Sequence, residues 1–189
     1  MIESARNAVQ AVVEAGGLDA RLVKVDETHA IPINPLGNLD PGVWETLSAG
    51  QTLRVPGTGA ELMHHVHADD VAQLFDLAIR HPEEAAGEDF HAVAPSALTV
   101  RGYAEIAAGW FGQSAHLENV SWEQFRQSTT AEYAESSWGH LYRSHYLSIE
   151  KAKTRLGYAP RYEPEAAILE SIHWLIEHDK LSVARPLAS

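Results

Sequence analysis

Cysteine is absent from the 189 residues. That excludes disulfides, thiolate catalysis and Cys-ligated zinc or iron–sulfur sites. Basic residues are scarce: 14 Lys plus Arg stand against 26 Asp plus Glu, a net charge of −12 at pH 7. Such a field repels nucleic acid and anionic membrane surfaces, and no basic cluster opposes it. The acids are dispersed rather than run together, so solubility accounts for them better than an acidic-tail function. Long apolar runs are missing too; none approaches the roughly 18 residues that would span a bilayer. The opening MIESARNAVQ has neither the basic start nor the apolar core of a signal peptide. A cytoplasmic location is therefore the expectation, although a chain without cysteine is also compatible with export. What is present is globular: 45% hydrophobic and 21% charged residues, a composition that builds a core. No repeat, low-complexity tract or linker divides the chain, so residues 1–189 read as one domain.

Periodicity supplies the elements. Ala5, Ala8, Val9, Val12 and Val13 share a helical face, Gly16 and Gly17 stop that helix, and residues 20–25 (ARLVKV) read as a short strand. A Pro/Asn loop covers residues 31–40. A helix over 42–49 follows, then strands over 51–55 and 62–66 joined by the turn Pro56-Gly57-Thr58-Gly59. Asp69 and Asp70 open a helix whose Val71, Leu74, Phe75, Ala78 and Ile79 form an inward stripe, ended by His81-Pro82. Residues 88–93 (EDFHAV) alternate as a half-buried strand does. Thr99 caps a helix with Tyr103, Ile106, Ala107, Trp110 and Phe111 inward, stopped by Gly112. A strand over 116–120 and one or two short helices within 121–146 come next. Ser148 caps a helix ending at Gly157, and Pro164 begins a last one with Ile168, Ile172, Leu175 and Ile176 inward. The strands are few and short, too few for a comfortable independent sheet.

The stretch LRVPGTGAELMHHVHADDVA, residues 53–72, resembles the strand–Gly-turn–strand–helix passage of the extended short-chain dehydrogenases, the NAD(P)-dependent epimerase/dehydratase family. GEDFHAV from Gly87, ALTVRGYAE from Ala97, SIEKAKTRLGYAPRY from Ser148 and the final amphipathic helix fall in that family's order. The order and spacing are more specific than any single piece. The resemblance implies the C-terminal, substrate-side portion of an α/β, partial Rossmann-type fold, with helices and a few short strands. In the full-length family NAD(P) sits at an N-terminal Gly-rich turn, and a Tyr-x-x-x-Lys pair performs acid–base chemistry. None of the six tyrosines here has Lys four positions later; Tyr146 comes closest, with Lys151 five on. No strand-following Gly-rich turn of that kind is present, and Gly57-x-Gly59 joins two short strands instead. Residues 3–25 resemble the helix–Gly–strand segment beyond the family's catalytic lysine, but the next loop, VKVDETHAIPINP at 23–35, lacks the family's Arg and Gly-Pro. The expectation is a truncated chain that has neither catalytic nor cofactor-binding residues and binds no NAD(P) alone.

One candidate substrate contact, Met63, comes from the same resemblance, and the others come from the residues themselves. In nucleotide-sugar epimerases the position matching Met63 usually holds an arginine for the diphosphate; Met offers neither charge nor donor. An uncharged or smaller substrate is implied, as in the reductase-like relatives. His140 and Tyr142, with His145 and Trp138, either line a substrate pocket or form the polar edge of an amphipathic helix. Asn34 and Asn38 can reach a substrate hydroxyl or serve Asx-turns. His64, His65, His67, Asp69 and Asp70 invite a metal reading. Helix capping by Asp69 or Asp70 and backbone bonding by a histidine is preferred, because the family carries the Asp pair without metal. No Gly-x-Ser-x-Gly supports a hydrolase. The partner expected is a separate chain carrying the dinucleotide-binding half, or a second copy in a homo-oligomer; the ligand is a small molecule. A non-catalytic binding or oligomerising module and a gene remnant remain open alternatives.

Overall fold

The computed structural model describes residues 41–184 and 186–188. Readings over 3–15, 20–25 and 31–40, with Asn34 and Asn38, lie outside them. Helix α1 (Pro41–Ser48) leads into strand β1 (Thr52–Pro56), and β2 (Leu62–Met63) follows the Gly turn. Then come α2 (Ala68–Arg80), α3 (Pro82–Ala85), β3 (Leu98–Thr99) and α4 (Val100–Trp110). Strand β4 (His116–Val120), α5 (Trp122–Ser128), α6 (Ala131–Leu141), α7 (Glu150–Leu156) and α8 (Pro164–Glu177) complete the order. The architecture is mixed α/β, with eight helices and four short strands among the described residues. Strands β1 and β4 pair in parallel, Thr52 opposite His116 through Pro56 opposite Val120. Parallel pairing demands a long crossover, and everything from β2 to α4 lies in it. Strands β2 and β3 form a second, antiparallel ladder only two residues long.

The main core is built on α4. Ala104, Ala107 and Ala108 are fully buried, and their small side chains let α1 and α8 approach closely with Trp44, Leu47, Ile168, Ile172 and Leu175. The Trp44 indole donates to the buried Tyr103 hydroxyl, which satisfies two polar groups in an apolar setting. Leu74, Ala152, Leu156 and Tyr158 form a second cluster joining α2 to α7. Val120, Phe125 and Ala134 form a third, under α5 and α6. Two caps confirm sequence signals: Thr99 accepts from Gly102 N, and Gly157 ends α7 with a positive φ; Ser121 and Gln124 add a capping box that the sequence reading did not name. Among the described residues no helix is long and apolar enough to cross a membrane.

Five expectations change. The strand expected over 62–66 stops at Met63, because His64 turns its ring between two backbone segments. The strand expected over 88–93 forms no ladder; its carbonyls are taken by side chains, Lys151 at Asp89 and Tyr158 at Val93. The α2 stripe is only partly buried: Leu74 is inside, whereas Phe75 is 44% and Ile79 38% exposed. Finally, neither Asp69 nor Asp70 caps α2, and Ser148 does not hold the N-cap of α7. Those positions belong to His67 and Ile149, although Ser148 Oγ still accepts from Glu150 N at 3.2 Å.

Candidate functional site

The segment from Met63 to Asp70 distributes its side chains to four surroundings. Met63 is 2% exposed and points into the main core. There it lines a small apolar cavity of about 60 Å³ with Val55, Val100, Tyr103 and Leu141. His64 Nδ1 accepts from Leu147 N at 3.1 Å, and its Nε2 lies 2.9 Å from Ala94 O. The first bond fixes the tautomer: Nε2 carries the proton and donates to the carbonyl. The ring also stacks on Tyr146, with centroids 5.2 Å apart.

His65 Nδ1 is buried without a hydrogen-bond partner among the described residues. Its ring lies 6.3 Å from that of His140 and 6.1 Å from that of Tyr103. Burial, then the neighbouring His140 and His64, push its pKa down to about 4. Buried tightly, Tyr103 has its phenol pushed up in turn.

His67 and the Asp pair form a closed knot. His67 Nδ1 accepts from Asp69 N at 3.1 Å and its Nε2 lies 3.1 Å from Glu170 on α8. Tyr162 stacks on its ring at 3.7 Å. The fully buried Asp70 carboxylate accepts from Arg161 N at 2.9 Å and Tyr162 N at 3.1 Å. This carboxylate therefore pins the 159–163 passage onto the start of α2. Among the described residues no group of three His, Asp or Glu side chains gathers as a metal site.

A second, larger cavity lies between β2 and α6. It is a cavity of about 230 Å³ lined by Leu62, His64, Gly139, His140, His145 and Leu147. No lysine or arginine is among the lining residues. His140 lines this cavity, the first of the two placements that the sequence left open for it. Tyr142 does not line it: it is 45% exposed, stacks on Trp138 at 5.3 Å and lies under Arg143. Met63 lines the other cavity. Sequence reasoning missed Leu62 and Leu147, whose positions depend on how the 142–147 loop folds back; it contains Ser144 at φ 48. No local pattern signals that.

The Gly turn is also occupied. Glu61 accepts from Thr58 N at 3.0 Å and Gly59 N at 2.7 Å. Burial raises its pKa, but these bonds outweigh it and hold it below the usual value. A Cβ at Gly57 would come within 2.4 Å of Glu61 Oε1. The donors that a phosphate would need are committed to the chain's own carboxylate, so this turn does not fit a dinucleotide.

No protein-family model and no curated protein matches the chain. Solved structures do. One is an epimerase from Methanothermobacter thermautotrophicus, 18% identical, TM-score 0.55, covering 74% of this chain and 37% of that one. Another is UDP-glucuronic acid 4-epimerase from Bacillus cereus in complex with UDP-glucuronic acid and NAD, 14% identical, TM-score 0.56, with 72% and 38% covered. A third is the enzyme WbmG of Bordetella bronchiseptica with NAD and UDP, 15% identical, TM-score 0.51, with 80% and 41% covered. The chain shares their fold. It spans about two fifths of their length, and the fold resemblance read from the MHHVHADDVA passage holds.

Proposed function

We propose that this chain supplies the substrate-side wall of an NAD(P)-dependent epimerase-, dehydratase- or reductase-type site, inactive until a dinucleotide-binding portion outside these residues completes it. The observation that carries the reading is the 230 Å³ cavity at the β2–α6 junction, in a fold shared with NAD-bound epimerases. Its lining mixes Leu62 and Leu147 with His140 and His145, apolar surface with a few polar groups, as small-molecule sites do. The absence of lysine and arginine from that lining, together with the inward Met63, favours an uncharged or compact substrate over a nucleotide diphosphate. Asn34 and Asn38 are kept as candidate contacts from the sequence. The test co-expresses the chain with the coding sequence immediately upstream and titrates the purified product with NAD+ and NADP+. Dinucleotide binding by the pair, and none by the chain alone, is expected; a pair that binds neither sinks the reading.

A second reading, a non-catalytic module that binds a second copy of itself, draws on the exposed Phe75 and Ile79 stripe of α2. Sedimentation of the isolated chain separates the two: a stable homo-oligomer supports the module, a well-behaved monomer removes it.

A further inference from the structure

The 142–147 loop forms one wall of the β2–α6 cavity, and two side-chain-to-backbone bonds hold it on β2. Leu62 N donates to Ser144 Oγ at 2.8 Å, and Leu147 N donates to His64 Nδ1 at 3.1 Å. The first is indifferent to pH in the physiological range. The second exists only while His64 Nδ1 carries a lone pair. Because Nε2 is already the donor to Ala94 O, a second proton has only Nδ1 to occupy. It would set N–H against N–H and cancel the bond.

We propose that His64 is a proton-sensitive latch: neutral, it fastens the 142–147 loop over the cavity, and protonated, it lets that loop go. The surroundings amplify the effect. Facing His64 are His65 beside it, His140 from α6, and His145 and Tyr146 from the loop itself. Tyr103 of α4 lies behind His65. Arg143 points away over Tyr142, and Glu170 is engaged with His67. No carboxylate is among the residues lining this cavity, so a proton on His64 costs the loop its bond without an ion pair in that lining to replace it. Ser144 holds a left-handed φ of 48 while its hydroxyl is bonded, a conformation that non-glycine residues adopt reluctantly. Loss of the His64 bond therefore leaves the loop on one tether with an unfavourable backbone. As regulation of a substrate pocket the latch rests on the function proposed above; release of the loop itself does not.

The test uses the intact chain without substrate or dinucleotide, so its failure leaves the proposed function standing, and the reverse. Amide exchange of Leu147 is followed by NMR from pH 7.5 to 5.0, corrected for intrinsic exchange, with Gly102, bonded to the non-titrating Thr99 hydroxyl, as the reference for overall stability. Relative to Gly102, protection at Leu147 falls about tenfold per pH unit below the midpoint. The ring signal of His64, followed in histidine-labelled protein, titrates with the same midpoint. In His64→Gln the protection of Leu147 relative to Gly102 no longer varies with pH. Constant protection in the wild type overturns the latch, as does a midpoint more than one pH unit from that of His64, or an unchanged response in His64→Gln.

Discussion

His64 and His67 are three residues apart and their surroundings are opposites. Around His67 every group is spoken for: its two nitrogens bind Asp69 N and Glu170, Tyr162 covers its face, and Asp70 receives two backbone donors. Around His64 and His65 the packing opens into a cavity, one buried nitrogen has no partner among the described residues, and three imidazoles crowd without a carboxylate in the lining. Binding surfaces are drawn from the less fully satisfied parts of a fold, because a group already saturated by its own chain has nothing to offer a ligand. The knot sets the geometry, and the open side offers chemistry.

Breaking the knot should produce the largest effect. Asp70→Ala leaves the part-buried Arg161 N and Tyr162 N without their acceptor, and Arg161 Nε loses a carboxylate 3.7 Å away. Removing one side of such a buried, charge-assisted set costs about 3 kcal/mol. In a chain of this size that is a fall in Tm of roughly 6–12 °C, read by thermal unfolding. A shift under about 2 °C would mean the 159–163 passage is held by something else.

The open side should show itself through pH. With a folded pKa of about 4 against an unfolded value near 6.5, His65 is neutral in the native state while the unfolded chain takes up a proton. Its contribution is complete above pH 6.5 and drains away as pH falls towards 4, on the order of 3 kcal/mol at most. Below 4 both states are protonated and the slope vanishes. Urea unfolding at intervals from pH 7.5 to 4 should therefore show stability falling with acid, and His65→Leu should flatten that part of the curve. An unaltered slope in the variant would place the acid sensitivity elsewhere. Glu88, held near 2 by hydrogen bonds from Lys151 and Arg155, has the opposite ordinary range. Its effect is lost as pH falls from about 4.3 towards 2, below most of this window, and its exposure keeps that effect small.

A smaller effect tests the cap. His67→Ala removes the acceptor of Asp69 N and should cost about 1 kcal/mol, of which His67→Asn should restore part. Equal losses for the two variants would show that the Glu170 contact and the Tyr162 stack, rather than the cap, keep His67 in place.

The same contrast separates features legible in the sequence from those that were not. Helices α4, α7 and α8 were legible because their signals are local: Thr99 and Gly112 bracket α4, Gly157 ends α7, Pro164 starts α8. The β1–β4 pairing joins residues 64 apart in sequence, and no local period encodes a partner, so residues 88–93 read as a strand although they have none among the described residues. The His67 cap escaped notice because histidine stands outside the usual capping set, and two aspartates beside it offered a more familiar answer. At the site, His140 was singled out by composition alone. Its approach to His65, 75 positions earlier, is a tertiary fact. Tyr142 looked equivalent on the same grounds, but two positions along the chain place it on the outer face, against Trp138.

The smallest stability effect carries the most about function. His145 lines the cavity and makes no contact with another described residue through a hydrogen bond or ion pair. His145→Ala should therefore change stability by no more than about 0.5 kcal/mol, in contrast to Asp70→Ala. If the cavity holds substrate, the same variant weakens substrate binding in the completed enzyme, read as a rise in KM with Tm unchanged. A variant that alters neither would move the substrate away from the β2–α6 junction and leave the crowded histidines as a proton-sensitive element alone. A variant that lowers Tm as strongly as Asp70→Ala would erase the distinction between a saturated side and an open one.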